Sequence, residues 1–542
     1  MTDNLAIVRD YHARTKHHFD RYAAGPDYLD WEQQPDPFRR FNNTTLIDLP
    51  LSFDPLPDTF LGDLDKQRPD KQLKAWGLPE IASLLRFSLG LSAWKVFGSS
   101  RWALRCTPSS GNLHATECYL VIRGLSALQN GIYHYAPHEH GLELRAIFSK
   151  DDEVTHNPDT EILVGLSSIA WREAWKYGER AYRYVQLDLG HAIGALAYSS
   201  AAMGLILEPV NIASDSLATL LGIDRNSDFK DAECEYPDLL LRIKPKQNQT
   251  RLAISESWLE QARTACWRGQ ANILSTEPHH QWPIIQCVGN ATRRGSDGIN
   301  IKSVGADLPP PLPTPQKPIH QLILQRRSAQ AFSGKGSMRR ETLFQMLDAL
   351  LSRPERTPWS SWPQQPRIHL ILFLHRIEGL DSGLYLLPRR PKIQTTLKAS
   401  MADEFLWKIA AGSPDHLPLY HLLSADTKQA ARTLSCHQDI AASSYFSLGM
   451  LAEFDSTLEA DGPQAYPELF WEAGLIGHVL YLQAEAAGVS GTGIGCFFDD
   501  AVHETLGLSN TQFQSLYHFT VGSAESDDRL QTLPPYQHLH RR

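Results

Sequence analysis

Three short stretches carry residue types and spacings that could do chemistry. The first is Arg326-Arg327-Ser328, upstream of a predicted helix at Arg339–Leu350. Two forked guanidinium donors beside a hydroxyl suit a phosphate. The same composition suits a solvated basic turn. The second is Thr107-Pro108-Ser109-Ser110-Gly111-Asn112, read as a tight loop between a helical segment and a strand. Ser109, Ser110 and Asn112 would offer hydroxyls, an amide and backbone N–H groups to the polar edge of a planar heterocycle. Ser and Asn equally favour a helix-capping turn. The third runs from Gly488 to Cys496, with glycines at 491, 493 and 495. A dinucleotide fingerprint follows a strand and opens a helix. Here the glycines follow a helix, so that reading is rejected. They would let backbone pass close to a flat ligand, or form a flexible connector.

A fourth stretch is Trp175-Lys176-Tyr177-Gly178-Glu179-Arg180. A desolvated lysine with a lowered pKa can act as a base. The alternative is a packed polar cluster at a helix N-terminus, with Lys176 in solvent. His191 and His478 hold matching places in apolar helices and read as core histidines. His12, His17 and His18 are close enough to bind a metal, but their neighbours suggest a surface or lid segment. No metal site is assigned. His114 is the histidine nearest the rim of a candidate loop. Cys106 and Cys496 flank candidate loops with no base beside them in sequence, and read as reduced packing thiols.

The elements that must position these residues occur twice. Tyr184–Gly204 and Tyr466–Gly488 both read as long helices of small apolar residues with an internal Gly-His, closing in Ala-Ala-x-Gly. Small residues on every side predict helices buried all round. Ser214–Gly222 and Asp499–Gly507 read as short helices closed by Gly. Strands follow at Asp238–Ile243 and His518–Val521. Upstream, Cys118–Ile122 with Gly131–Tyr135 mirrors His369–Phe373 with Gly383–Leu387. Paired strands and long helices favour α+β over a doubly wound sheet.

The expected organisation is a Pro-rich wrapping segment at 1–70, a first unit at 71–250, a bridge at 251–316 and a second unit at 317–542. In the bridge, a helix capped by Ser255 and reaching Asn272 precedes a stiff Pro-rich linker ending at Pro315.

Composition bounds the function. At about 150 residues per domain, 542 residues allow two large units. The net charge of −9 argues against a nucleic-acid binder. Seven scattered cysteines without a CxxC pair suit reduced thiols in a cytoplasmic protein. No signal peptide or membrane span is read.

Taken together, RRSAQAF from Arg326, SLGLSAWK from Ser88, PSSGNLHATE from Pro108, GIYHYAPHEHGLELR from Gly131, AWKYGERAYRYVQLDLGHA from Ala174 and GTGIG from Gly491 resemble the nitroreductase-like flavoproteins. The closest resemblance is to the SagB/ThcOx-type dehydrogenase branch, in a tandem-domain form, over nearly the whole chain. It implies FMN bound between two entwined units, each an antiparallel sheet flanked by helices.

The Arg-Arg-Ser segment and the glycine run occur only in the second half, and the Pro-Ser-Ser-Gly-Asn loop only in the first. One chain is therefore expected to be an intrachain pseudo-dimer with one complete FMN site, open to further homodimer formation. Trp362–Arg367 and Leu207–Asn211 stand at the degenerate mirror positions.

The resemblance places Arg326, Arg327 and Ser328 near the phosphate, ribityl chain or pyrimidine ring. Pro108, Ser109, Ser110 and Asn112 would lie against the ring system. Gly491, Gly493 and Gly495 would line it, the last two offering N–H groups near flavin N5. Arg529 is the candidate C-terminal phosphate ligand. Gln330 stands where the family often has Arg or Lys, and Lys335 is the substitute. Lys176 and Tyr177 match a pair implicated in proton removal by the azoline-oxidising members.

Three functions follow. One is an FMN-dependent dehydrogenase or oxidase of a small or peptide-derived heterocycle. Another is an NAD(P)H-dependent nitro or quinone reductase. The third is a flavin-less binding protein.

Overall fold

The computed structural model describes residues 3–51, 59–66, 76–148, 160–245, 256–276, 280–296, 299 and 308–539. The expected boundaries at 70/71 and 250/251, the Ser255 cap and linker residues 301–307 lie outside the described residues.

Long apolar runs form two antiparallel sheets. Ile368–Leu374, for example, is buried at every position, the pattern of a strand covered on both faces. The first sheet has the order Cys266–Trp267, Gly141–Ile147, Gly131–Ala136, Thr116–Arg123, Glu161–Ser168, Tyr236–Pro245, Leu205–Pro209, with Leu46–Asp48 also on Gly141–Ile147. The second runs Lys408–Ile409, Tyr420–Ser424, Gly383–Leu387, Ile368–Leu374, Phe446–Glu453, Phe513–Gly522, Ser490–Ile494. From Gly131–Ala136 and from Gly383–Leu387 onward, the five strands follow the same order. The repeat read in the sequence is thus a repeat of topology, and the fold is two tandem α+β units.

The helices Ala181–Ala202 and Ala465–Ala486 pack against each other at the centre. The first is buried along its whole length. They cross where Gly190 meets Gly474. A Cβ at position 190 would sit 2.3 Å from the Trp471 carbonyl oxygen, and one at 474 would sit 2.2 Å from that of Leu187. One turn on, the ring of His478 covers Gly194 and the ring of His191 covers Gly477. Both histidines are buried, as expected. His191 bonds Tyr517 at 3.1 Å, whereas neither ring nitrogen of His478 has a partner among the described residues.

Arms from each half clasp the other. Gln531–Leu533 adds a strand to the hairpin Leu91–Phe97/Ser100–Arg105 of the first half. Tyr536 fixes that join by accepting the Leu91 N–H at 2.9 Å. In return, the N-terminal helix Asn4–Arg14 and the chain after it lie on the second half. His12 bonds Tyr466 and Gln514, and His17 bridges to Phe498. His12 and His17 are therefore buried rather than on a surface or lid.

Beneath this arm, Asp499 opens the helix Asp499–Leu506 and is wholly buried. It receives Arg180 at 2.9 Å and Arg183 at 2.7 Å from the first half, and the His17 N–H at 3.0 Å.

Three local expectations change. The bridge helix ends at Thr264 and gives way to two short strands, Cys266–Trp267 and Gln270–Ala271. Gly269 turns between them with φ +79°, a conformation that a helix cannot contain. A second helix, Pro283–Ala291, forms where a linker was expected; Pro sits at its start and Ile285 and Val288 are buried. The stretch before the Ser-Ser-Gly-Asn loop is a hairpin strand, not a helix. No helix among the described residues is long and apolar enough to cross a membrane.

Two outcomes test the centre and the clasp. Overpacking costs about 1–3 kcal/mol, more than the roughly 1 kcal/mol Ala gains over Gly as a helix former. Gly190→Ala should therefore lower the denaturation midpoint in urea; an unchanged or higher midpoint would show that the helices separate freely.

Burial alone would raise the Asp499 pKa, but Arg180 and Arg183 outweigh it and hold the carboxyl well below the usual range. Its stabilising effect is full above the ordinary aspartate pKa of about 4 and fades as pH falls below it. Asp499→Asn should cost about 3 kcal/mol at neutral pH and flatten the loss of stability in acid.

Candidate functional site

The helix Ile319–Gln325 ends where Arg326 turns extended. Arg326 is 4% exposed. Its Nε donates to the Cys106 carbonyl at 3.2 Å and an Nη to that of Arg105 at 3.3 Å. Those carbonyls lead directly into Pro108, so the second half's Arg-Arg-Ser segment is tied to the first half's candidate loop. Arg326 also lies over the Tyr481 ring at 5.0 Å, and its Nη1 has no partner among the described residues.

Arg327 donates to the carbonyls of Leu324, Arg326 and Ser92. Burial lowers the pKa of Arg326, and burial with the neighbouring Arg326 charge brings Arg327 down to about 10. Neither guanidinium has an ion pair with a carboxylate among the described residues. Two adjacent, desolvated cations that donate to carbonyls, with only the half-buried Glu485 acting on both, suit an anionic ligand. Ser328 sits beside them. Its hydroxyl is 2.8 Å from that of Tyr481, and its backbone bridges to Gly491.

The Pro108–Asn112 loop is held from behind by Asp188, on the first central helix. Ser109 Oγ donates to it at 2.6 Å, Ser110 N at 2.8 Å and Ser110 Oγ at 2.9 Å. Burial raises the Asp188 pKa to about 6 against these hydrogen bonds. Its neighbour Glu173 is raised well above the usual range, by burial first and by Asp188 second. Gly111 and Asn112 turn the loop with φ near +60°, a region that Gly and Asn tolerate best. Asn112 donates to the Ala103 carbonyl at 2.9 Å and its Oδ1 meets His114. Burial and the charges of Arg105 and Arg172 keep His114 neutral.

Lys176 and Tyr177 lie against this loop. A Cβ on Gly111 would sit 2.6 Å from the Tyr177 hydroxyl and 3.3 Å from Lys176 Cδ. Lys176 is half-buried, and that burial lowers its pKa. The Tyr177 phenol is pushed far up, by burial first and then by Tyr184, Glu173 and Asp188.

The Tyr177 ring lies 4.4 Å from that of Tyr184, which closes on Gly495: a Cβ there would sit 2.0 Å from the Tyr184 ring. The glycine run is not a connector but the edge strand Ser490–Ile494. Gly493 makes room for the Tyr517 hydroxyl and Gly491 for the Phe519 ring. The Gly493 N–H donates to Tyr481 at 3.0 Å.

Arg326, Arg327, Ser328, Pro108, Ser109, Ser110, Asn112, Lys176, Tyr177, Gly491, Gly493 and Gly495 therefore form one connected region from both halves. Gln330 and Lys335 are exposed beside it. Arg529 is not brought into it. The acidic turn before it captures its guanidinium, 2.7 Å from Asp527, and it lies over Phe97.

The reading of the sequence missed Asp188, Tyr481 and Lys95. Lys95 lies on the clasped hairpin, where burial and the nearby Arg327 charge lower its pKa.

At the mirror position, Leu205–Pro209 takes the place of the glycine strand and contains no glycine. Trp362–Arg367 takes the place of the Ser-Ser loop. It is pinned by Arg367–Asp461 at 3.1 Å and by the Arg367 N–H on Glu472 at 2.9 Å.

A model of the nitroreductase family matches residues 323–523. A protein of Methanocaldococcus jannaschii assigned as a nitroreductase is 25% identical over 181 residues, covering 31% of this chain and 81% of that relative. The crystal structure of an Anabaena variabilis protein, also assigned as a nitroreductase, superposes on 96% of this chain and 99% of its own. Its TM-score is 0.67 and its identity 21%. The second half of the chain thus matches the nitroreductase family model, and the two tandem units together have the fold of that solved relative.

Proposed function

We propose that the chain is an FMN-dependent oxidoreductase with one composite flavin site. The observation that carries this reading is the bond from Arg326 to the carbonyls of Arg105 and Cys106. It joins the phosphate-type segment of one half to the loop of the other. Arg326 Nη1, unpartnered among the described residues, and Arg327, with no ion pair among them, fit a phosphate group. The backbone edge of Gly491–Gly495 and the Ser-Ser-Gly-Asn loop fit the rim of a flat ring. The pinned Trp362–Arg367 segment and the glycine-free mirror strand support a single site per chain.

Bound there, FMN would supply two-electron hydride chemistry. The chain would supply the rest. Arg326, Arg327 and Ser328 hold the anionic end. Asp188 keeps Ser109 and Ser110 oriented. Lys176, lowered by burial, accepts a proton from a substrate lying over the loop, and Tyr177 stays protonated as a hydrogen-bond donor.

This arrangement favours a SagB/ThcOx-type dehydrogenase acting on a small or peptide-derived heterocycle, such as an azoline. The Lys176–Tyr177 pair against Gly111 is the feature behind that choice. Reduction by NAD(P)H is the competing use of the same site.

The test begins with the visible spectrum of the purified chain and the cofactor that acid releases. One FMN per chain is expected, and two would refute the single composite site. A colourless protein that cannot be reconstituted with FMN would overturn the oxidoreductase reading.

Arg327→Ala combined with Ser328→Ala should lose FMN while staying soluble; full occupancy would refute the phosphate assignment. Lys176→Ala should keep FMN and slow flavin reduction by an azoline peptide by about 100-fold or more. Unchanged reduction would remove the base. Fast bleaching by NADPH in stopped flow would favour the reductase instead.

A further inference from the structure

Cys436 and Cys496 are 60 residues apart in sequence, yet their sulfurs lie 2.6 Å apart. This is closer than two unrelated packed thiols approach. Both are half-buried, so a small reagent reaches them. By contrast, Cys106 and Cys118 are buried, and burial raises both thiols. The sequence reading of Cys496 as an isolated packing thiol is therefore revised.

The surrounding structure holds the pair in place. Cys436 and His437 both occupy the left-handed backbone region, with φ +52° and +58°. Side-chain-bearing residues seldom adopt it. This turn, at the end of the helix Lys428–Leu434, presents Cys436 to the strand end that carries Cys496. Gln438 locks the two segments by donating to the Cys496 carbonyl at 3.3 Å. Arg180 reaches the same strand end through the Gly495 carbonyl at 3.2 Å.

We propose that Cys436 and Cys496 are a redox-active dithiol that exchanges with low-molecular-weight disulfides. Cys496 is the attacking sulfur. The Cys436 thiol in contact with it favours its thiolate most, burial opposes this, and the imidazole of His17 and the charge of Arg180 add to it. Cys436 is pushed up by the same contact and by burial, so it is the resolving thiol. The His17 Nδ1 accepts the Ala23 N–H at 2.9 Å, so its proton sits on the other ring nitrogen.

The exchange runs in two displacements. The Cys496 thiolate attacks one sulfur of R–S–S–R. That S–S bond breaks, and R–S⁻ leaves and takes up a proton. Cys436 then gives up its proton and attacks the Cys496 sulfur, and the second R–S⁻ departs. Two protein thiols are oxidised to one disulfide, and one R–S–S–R is reduced to two R–SH.

The test uses the full chain. It is reduced, desalted, incubated with oxidised glutathione, alkylated under denaturing conditions and digested. The peptides of Cys436 and Cys496 should appear cross-linked, with no glutathione on either and with the link lost on reduction. Cys436→Ser should strand glutathione on Cys496, while Cys496→Ser should leave Cys436 unmodified.

Exposed Cys234 and Cys266 serve as the control for reagent action. If they gain glutathione while Cys436 and Cys496 are both recovered alkylated, the proposal is overturned. Glutathione retained on either cysteine of the unmutated chain overturns it as well. The wild-type cross-link decides the matter even if a variant fails to fold. The readout is a peptide mass, so it does not depend on whether FMN binds.

Discussion

The crossing of the two central helices at Gly190 and Gly474 is the constraint on which the rest depends. With no Cβ at either position, each helix rests on the other's backbone. That closeness puts His191 over Gly477 and His478 over Gly194. It also sets the distance between the two sheets. Asp188 lies two residues before Gly190, and Tyr481 seven residues after Gly474. The same crossing therefore positions the groups that hold the Ser-Ser-Gly-Asn loop and the Ser328–Gly493 edge.

Buried charge follows from this architecture. Asp499 satisfies two arginines from the other half, and breaking such a pair strands a charge away from water. Arg326 and Arg327 are the contrasting case: burial with no ion pair among the described residues and only the half-buried Glu485 acting on both. Main-chain carbonyls and the Glu485 carboxylate lower their cost without forming an ion pair among the described residues. Asp188 and Glu173 stand together below the loop. Their raised pKa values mark a polar floor that burial works to neutralise.

The two halves share a strand order but not a chemistry. In the second half, the glycine strand admits the rings of Tyr184, Tyr517 and Phe519. In the first half, Leu205–Pro209 carries side chains in that place. In the first half, the segment before the second sheet position is a hydroxyl-rich loop; in the second it is Trp362–Arg367, fixed by the Arg367–Asp461 ion pair and the Arg367 N–H on Glu472. Divergence at these two places leaves one region with a complete set of polar groups and one without. The clasping arms then prevent the complete region from being divided between separable units.

The sequence alone determined the duplication, the α+β class and most strands and long helices, because apolar period and glycine stops are local properties. Gly222 and Gly507 close their helices in the left-handed conformation, as the spacing implied. Most candidate site residues were also legible as short motifs. Tertiary structure decided which of them meet. Arg326 finds Cys106 only after the halves entwine, and Tyr177 finds Gly111 only once the first half has packed. Arg529 is drawn instead to the aspartate two residues before it. The pairing of Cys436 with Cys496 was equally hidden, since contact between residues so far apart depends on how sheets and helices pack rather than on local pattern.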